Sequence, residues 1–532
     1  MPIRARNWLS PLAWVAAIVA VLLVVFPLGF PNYDTIYALV WGRELAHGVS
    51  PDYGAALPPT PHPLADLLGM VTTPLGDGAI DVTMAIAYVS LGLVGYLVYR
   101  LGSLWFDRPI GAVAALIVLT RAPYLSNGLR AYVDLPYIAL CLGALVIESK
   151  RPRAGWPVLA LLALAGLLRP EAWGFSIAYL IYLLLDPNEA STQAGTTEPT
   201  SSSPQPVSSN PPSQRGPEEE KRAPLDRADT QIAGLIRPAI GRARGALFSQ
   251  RGAALVALAL SAPIAWVLFD GITTGNLLYS LIGTQETVDT LKRRTGPADL
   301  VLYGPRALGE VMQWPGMIGA LGGVILGFAF LRRRSALGIA AAVLALAGFA
   351  FLGAAGLAII ARYTMLAGAI LAIFVALALL GWRLLEADDP WRRRWQIFAG
   401  VVALMFVLWL PNQWDLDSTV HSDLSDQGTI ERDLSDLVDG GGFSKPLCGP
   451  IAVPNHRAIP RLAFGLDVKP TAIVSASEEG IPRRGYFLKP ASPFVIHNFI
   501  LDPNDPTRLK TTVPQGFNRV AANDSWLLYK RC

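Results

Sequence analysis

The sequence predicts a polytopic α-helical membrane protein of about 11 transmembrane helices, with a small mixed α/β domain outside the bilayer at its C-terminal end. Three observations predict it. The 532 residues are 52% apolar and only 16% charged, which would leave a soluble chain short of polar surface. The mean hydropathy of +0.40 points the same way. Apolar runs of membrane length recur as far as residue 410, and from Pro411 the composition turns polar.

The first run, Trp8 to Phe30, carries no charge and is long enough to cross a hydrocarbon core of about 30 Å. It exceeds the length of a signal-peptide core and no small-residue cleavage site follows, so it is expected to be retained. Further spans are expected at 81–99, 109–121, 134–148, 155–168 and 172–185, then at 252–269, 314–331, 336–358, 363–382 and 396–410. Together they form a transmembrane module over 1–410, with 31–80 as its first outer loop.

Basic clusters set the expected orientation. Arg4 and Arg6, Arg100 and Arg108, Lys150 with Arg151 and Arg153, Arg237 to Arg251, Arg332 to Arg334, and Arg383 with Arg392 to Arg394 share one side if the spans alternate. That side is the cytoplasm by the positive-inside rule. The expectation is a multi-pass plasma-membrane protein with its N-terminus cytoplasmic and its C-terminal domain extracytoplasmic. Lys292, Arg293 and Arg294 fall on the outside against the rule, where an anionic headgroup or acceptor is expected to meet them. The net charge of +4 is distributed in such clusters and implies no nucleic-acid partner.

Two segments leave the membrane pattern. Residues 186–250 form a cytoplasmic loop whose 186–230 part is dense in Ser, Thr, Pro, Gln and Glu and is expected to be disordered. Residues 411–532 carry short alternating runs, such as Tyr486-Phe487-Leu488, between Pro and Gly turns. Cys448 and Cys532 are the cysteines outside the apolar runs, and in an oxidising compartment a disulfide between them is expected. Cys141 lies within a span, as a packing residue.

The chemistry must come from polar residues at membrane edges. Asp34 follows the first run, and Tyr37, Trp41 and Leu45 repeat at helical spacing behind it, which predicts an interfacial helix with an aromatic face. Two readings compete for Asp34: a helix N-cap, or a functional acid. His47 and His62 read as loop or cap residues, since no partner stands at metal-ligand spacing.

Arg121, Arg130 and Asp134 share the next outer loop, with Pro136 in the first turn of the following helix. Asp134 is a natural cap, yet beside two arginines it could cradle a phosphate and a sugar. Leu168-Arg169-Pro170-Glu171 marks a tight outer turn, where Arg169 and Glu171 are either an ion pair or functional charges. Residues 270 to 286 are expected to form an irregular outer loop. Arg362 and Tyr363 open the tenth span, as snorkelling and belt residues or as part of a site. There is no P-loop, HExxH or nucleophile elbow.

As a set, the outer Asp34 with its aromatic loop, Leu167-Leu168-Arg169-Pro170-Glu171-Ala172-Trp173, Thr274-Gly275-Asn276-Leu277-Leu278-Tyr279-Ser280 and Ala361-Arg362-Tyr363 resemble the GT-C superfamily. These are integral membrane glycosyltransferases that use polyprenyl-phosphate sugars, including bacterial mannosyltransferase-like and arabinosyltransferase-like proteins. The resemblance covers about residues 8 to 410. It implies a polyprenyl-phosphate-linked donor, a glycan, lipid or protein acceptor, and hexosyl or pentosyl transfer by inverting displacement. It also implies Asp34 as general base, Asp134 as a second acid, and Arg362 at the donor phosphate; by their place at the outer membrane edge, Arg121, Arg130, Arg169, Glu171, Lys292, Arg293 and Tyr363 are further candidates for binding donor phosphate or substrate. Some members use a divalent metal, but this chain has no paired Asp-x-Asp to hold one. A secondary transporter or lipid flippase is the rival expectation, with smooth spans and no internal repeat against it. A non-catalytic envelope scaffold is the other.

Overall fold

The computed structural model describes residues 9–27, 29–185, 250–444, 446–499 and 509–532. Arg4, Arg6, the basic residues from Arg237 to Arg244 and the disorder expected over 186–230 lie outside the described residues. The helices before the gap are α1 (Leu9–Val25), α2 (Tyr33–Ala46), α3 (Pro63–Thr72), α4 (Gly78–Trp105), α5 (Arg108–Leu119), α6 (Ala122–Leu129), α7 (Asp134–Lys150), α8 (Trp156–Gly166) and α9 (Glu171–Leu184). After it come α10 (Gln250–Thr274), α11 (Tyr279–Thr290), α12 (Pro297–Phe330), α13 (Arg332–Ala354), α14 (Met365–Leu380), α15 (Pro390–Asp439), α16 (Ile459–Leu466) and α17 (Pro493–Phe499).

Local chemistry starts these helices where the sequence allows. Asp107 accepts from Ile110 N at 2.9 Å ahead of Pro109, and Asp389 accepts from Trp391 N at 2.8 Å ahead of Pro390. A helix lies over every apolar run expected to span. Among the described residues, six helical stretches are long and apolar enough to cross a membrane: α4, α10, α12, α13, Ala361–Leu384 and α15. The pair α5 and α6, bent by 62°, makes a seventh if taken as one span. Helices α1, α8 and α9 are apolar but shorter, so length and composition support fewer spans than about 11.

Helix α14 forms the centre of the bundle, with Met365 to Ala378 buried throughout. Helix α12 reaches it closely because a Cβ at Gly323 would collide with the Phe374 carbonyl. Helix α12 is broken at Gln313, whose φ of 62° and ψ of 163° interrupt the helix before Trp314-Pro315. Residues 270 to 286 are more regular than expected. Helix α10 continues to Thr274, a turn follows, and α11 begins at Tyr279, with Asp270 accepting from Ser280 N and Oγ at 2.8 Å each.

Helix α15 runs without interruption through Pro411 to Asp439, so the 410/411 junction falls inside a helix. Beyond it lie β1 (Ile451–Val453), β2 (Ile473–Ser475), β3 (Gly485–Pro490), β4 (Asn518–Ala522) and β5 (Trp526–Arg531). They form one sheet in the order β2-β1-β3-β5-β4. Strand β1 pairs in parallel with β2 and β3, while β3/β5 and β5/β4 are antiparallel. Cys448 and Cys532 are joined by a disulfide, with their Cα atoms 5.9 Å apart. Free Cys141 is buried on α7.

The aromatic face of α2 packs into this sheet domain. Tyr37, Val40 and Trp41 share a core with Ile451, Leu462, Tyr486 and Trp526. Arg43 clamps the same contact from the side. Its Nη1 donates to Phe464 O at 2.9 Å and its Nη2 to Ala463 O at 3.0 Å, which satisfies carbonyls at the end of α16. The first loop and the C-terminal sheet therefore pack as one layer over one end of the bundle.

Candidate active site

The site is built where α2 meets the turn between α6 and α7. Asn32 caps α2, accepting through Oδ1 from Asp34 N at 2.8 Å and Thr35 N at 3.2 Å. Its Nδ2 donates to Arg130 O at 2.8 Å, and Thr35 Oγ1 donates to Ala131 O at 2.7 Å. Asp34 is thus not the cap. Its carboxylate is left facing Arg362, with Oδ2 and Nη1 3.6 Å apart and both side chains a quarter exposed. The guanidinium of Arg362 also lies over the Tyr132 ring at 5.1 Å and near Tyr363 at 5.4 Å.

Asp134 is the first residue of α7 and is also not a cap, since Val133 holds that position without a side-chain bond. It pairs with Arg169 from the α8–α9 turn. Arg169 in turn pairs with Glu171, at 2.5 Å from Nη2 and 3.1 Å from Nε, and lies over the Tyr363 ring at 4.2 Å. All three charged residues are buried. Two carboxylates on one guanidinium explain how the turn holds charge away from water. Asp134 Oδ2 remains buried without a hydrogen-bond partner.

Arg121 and Arg130 do other work. Arg121 Nη1 donates to Gln413 at 2.7 Å, and Arg130 donates to Gln427 through Nε at 3.1 Å and Nη2 at 2.9 Å. Both arginines tie the α6 segment to α15, so neither is turned into the Asp34 group as a phosphate cradle. Lys292 to Arg294 follow α11 beside the segment leading to Arg362, with Ile359 N donating to Arg294 O at 2.9 Å. Arg294 stacks on Tyr303.

His62 belongs to the site although its sequence context suggested a loop or cap. It precedes α3 without making a side-chain cap, and its ring packs edge-on to Trp266 at 5.9 Å. Asp34, Arg169, Arg362 and Asp134 all lie within its electrostatic range. Burial pushes its pKa down to about 4, and its Nδ1 is buried without a hydrogen-bond partner. One turn on, Asp66 is fully buried and both carboxylate oxygens lack partners. Burial, reinforced by Asp270, raises its pKa well above the usual range. Close packing of α2 on α3 forces this burial, since a Cβ on Gly42 or Gly69 would strike the backbone opposite.

Sequence reading missed Asn32, His62 and Tyr132. The signal for Asn32 was present, because Asn is as good a cap as Asp and stands two residues earlier. No group of three or more His, Cys, Asp or Glu side chains that could hold a metal ion forms among the described residues.

The whole chain superposes on the crystal structure of ArnT from Cupriavidus metallidurans bound to undecaprenyl phosphate, with a TM-score of 0.52 and 14% identity over 99% of this chain and 98% of that one. The apo state of the same protein gives a TM-score of 0.49 at 15% identity, covering 98% of each chain. The Archaeoglobus fulgidus oligosaccharyltransferase in complex with Zn and sulfate gives 0.43 at 14% identity, over 86% of this chain and 61% of that one. No protein-family model and no curated protein matches the sequence. At this identity the likeness to ArnT is one of overall fold alone.

Proposed function

We propose that this membrane protein is a glycosyltransferase that moves a sugar from a polyprenyl-phosphate donor to an acceptor hydroxyl, with Asp34 as general base. The observation that carries the reading is the release of the Asp34 carboxylate from capping by Asn32, which leaves it a quarter exposed beside Arg362. A GT-C fold and a neighbour whose structure contains undecaprenyl phosphate support the donor class.

The reaction is a single displacement. Asp34 takes the proton of the acceptor hydroxyl as that oxygen bonds to the anomeric carbon, and the bond from that carbon to the phosphate oxygen breaks. The electron pair leaves on the lipid phosphate, whose added negative charge falls beside Arg362; Lys292 and Arg293 are further candidates for that charge. The anomeric configuration inverts because the nucleophile enters opposite the leaving group. Asp134, held by Arg169, is a positioning acid in this scheme.

The sidedness belongs to the same proposal. Arg392 to Arg394 lie at the start of α15, and the sheet domain is reached from its far end. By the positive-inside rule the basic end is cytoplasmic, and the Asp34 group and C-terminal domain are extracytoplasmic at the cell membrane.

The test is sugar transfer by the purified full-length protein from an undecaprenyl-phosphate-linked donor, with wild type and Asp34→Asn compared. Turnover is expected to fall by about 10²- to 10⁴-fold while undecaprenyl phosphate still binds. Wild-type turnover in the variant would remove Asp34 from the base role.

A further inference from the structure

Six arginines gather at the end of the bundle that lies away from the sheet domain. Arg332, Arg333 and Arg334 open α13, and Arg392, Arg393 and Arg394 lie in the opening turns of α15. The two triplets are neighbours in space, because the Phe330 ring at the end of α12 packs on Trp391 at 5.5 Å and on buried Trp395 at 6.1 Å. Trp395 is fixed in turn, its Nε1 donating to Ala378 O on α14 at 2.9 Å. The charges therefore stand on a packed aromatic base. The positive-inside rule accounts for basic residues on this side, but not for their assembly into one patch by α12, α13 and α15.

All but half-buried Arg392 are exposed, and none of the six forms an ion pair among the described residues. The acids nearest in sequence are Glu386, Asp388 and Asp389, of which Asp389 is engaged in capping α15 through Trp391 N. Three guanidiniums lie over rings instead: Arg332 over Phe328 at 5.1 Å, Arg392 over Trp382 at 5.6 Å and Arg394 over Trp391 at 4.7 Å. Stacking fixes the plane of a guanidinium and leaves its N–H edge for an anion.

Beside the patch the surface turns apolar. Helices α12 and α15 touch where Gly322 meets the Phe398 ring, and Leu321, Ile325 and Phe328 on α12 and Ile397 and Val401 on α15 are each more than half exposed. Both helices are long and apolar enough to cross a membrane, so these side chains suit acyl chains. A cationic rim above an apolar wall matches a ligand of two parts, a phosphate for the guanidiniums and fatty chains for the wall. An acidic protein would use the rim and not the wall, and a zwitterionic lipid brings a cation that the arginines repel.

We propose that this patch binds an anionic phospholipid of the adjoining leaflet, with its phosphodiester between the two arginine triplets and its chains along α12 and α15. On the sidedness given above, that leaflet is the cytoplasmic one. The site lies at the other end of the bundle from Asp34, and it goes beyond the transferase reading without depending on it.

The test is native mass spectrometry of the purified full-length protein in micelles titrated with dioleoylphosphatidylglycerol or dioleoylphosphatidylcholine. Phosphatidylglycerol is expected to bind about tenfold or more tighter than phosphatidylcholine, since each arginine near a lipid charge adds a several-fold gain. Arg332→Gln with Arg334→Gln, and separately Arg392→Gln with Arg394→Gln, should each weaken it by about fivefold or more. Arg100→Gln with Lys150→Gln, in other basic clusters, should leave it unchanged. Melting like that of wild type shows which variants are folded, and the lipid preference of wild type decides without any variant. The site is overturned if wild type shows no preference, if both arginine pairs bind as wild type does, or if the Arg100 and Lys150 pair weakens binding as much. Displacement of the lipid by an equal concentration of short polyglutamate overturns it too, in favour of an acidic protein.

Discussion

Arg362 Nη1 lies 3.6 Å from Asp34 Oδ2, which joins the 3-10 turn before α14 to the first turn of α2. The arrangement places a cation beside the proposed base without burying the pair, since each side chain keeps a quarter of its surface. Removing the cation should therefore affect the donor more than the fold. Arg362→Gln is expected to raise the KM for a lipid-phosphate donor by about 10- to 100-fold, the range for losing a charged hydrogen bond. Arg362→Lys should recover part of that loss. Steady-state kinetics at varied donor concentration decide it, and an unchanged KM removes Arg362 from the phosphate.

Asn32 is expected to matter as much as Asp34 for turnover, but through position. Asn32→Ala removes two cap bonds and the tie to Arg130 O, for about 1 to 2 kcal/mol of stability. Asn32→Asp keeps an acceptor for the cap but cannot donate to that carbonyl, so it should rescue stability only in part. Melting of the two variants in detergent gives the order, and equal melting with wild type would show that the cap holds nothing in place.

Arg169 carries a different kind of prediction. It is the shared partner of buried Asp134 and Glu171. Arg169→Met leaves two buried carboxylates facing each other and is expected to destabilise by about 3 to 5 kcal/mol. The triple change that also makes Asp134→Asn and Glu171→Gln should recover much of the loss. A triple variant no more stable than the single would mean that the arginine contributes by packing on Tyr363.

The pH profile of stability should have two limbs with separate owners. Burial lowers His62 to about 4, against about 6.5 in an unfolded chain. Its neutral ring contributes fully above about pH 6.5, and the contribution is lost as pH falls towards 4, because the unfolded chain takes up a proton that the fold refuses. Asp66 has the opposite sign. Burial raises its carboxyl, so its contribution is complete below about pH 3.9 and is lost as pH rises through the folded value. His62→Asn is expected to flatten the acid limb of the melting profile, and Asp66→Asn to gain stability over wild type at about pH 8. Parallel profiles for wild type and both variants would show that neither group titrates with folding.

The parts of this molecule that were legible in the sequence are those with a local signal. Apolar length gave the helices, the spacing of Tyr37 and Trp41 gave α2, and two cysteines outside the apolar runs gave the disulfide partners. Convergence of Asp34, Asp134, Arg169 and Arg362 was visible only as a shared membrane edge. Their pairing depends on tertiary contacts such as Asn32 to Arg130, which no periodicity encodes. The same limit hid the work of Arg121 and Arg130, whose glutamine partners lie on α15, far along the chain. It also hid the helical course of 411 to 439, because polar residues on a helix leaving the bundle look like a domain linker.

That helix has a mechanical consequence. At about 1.5 Å per residue, the 50 residues of α15 make a strut roughly 75 Å long, anchored in the bundle at one end and carrying the sheet domain on the other. A tilt of about 5° about Pro411 would swing its far end by roughly 4 Å over the remaining turns. Because α2 shares a core with the sheet domain, such a tilt would carry the first loop and its Asp34 along with the domain, as one lever over the bundle.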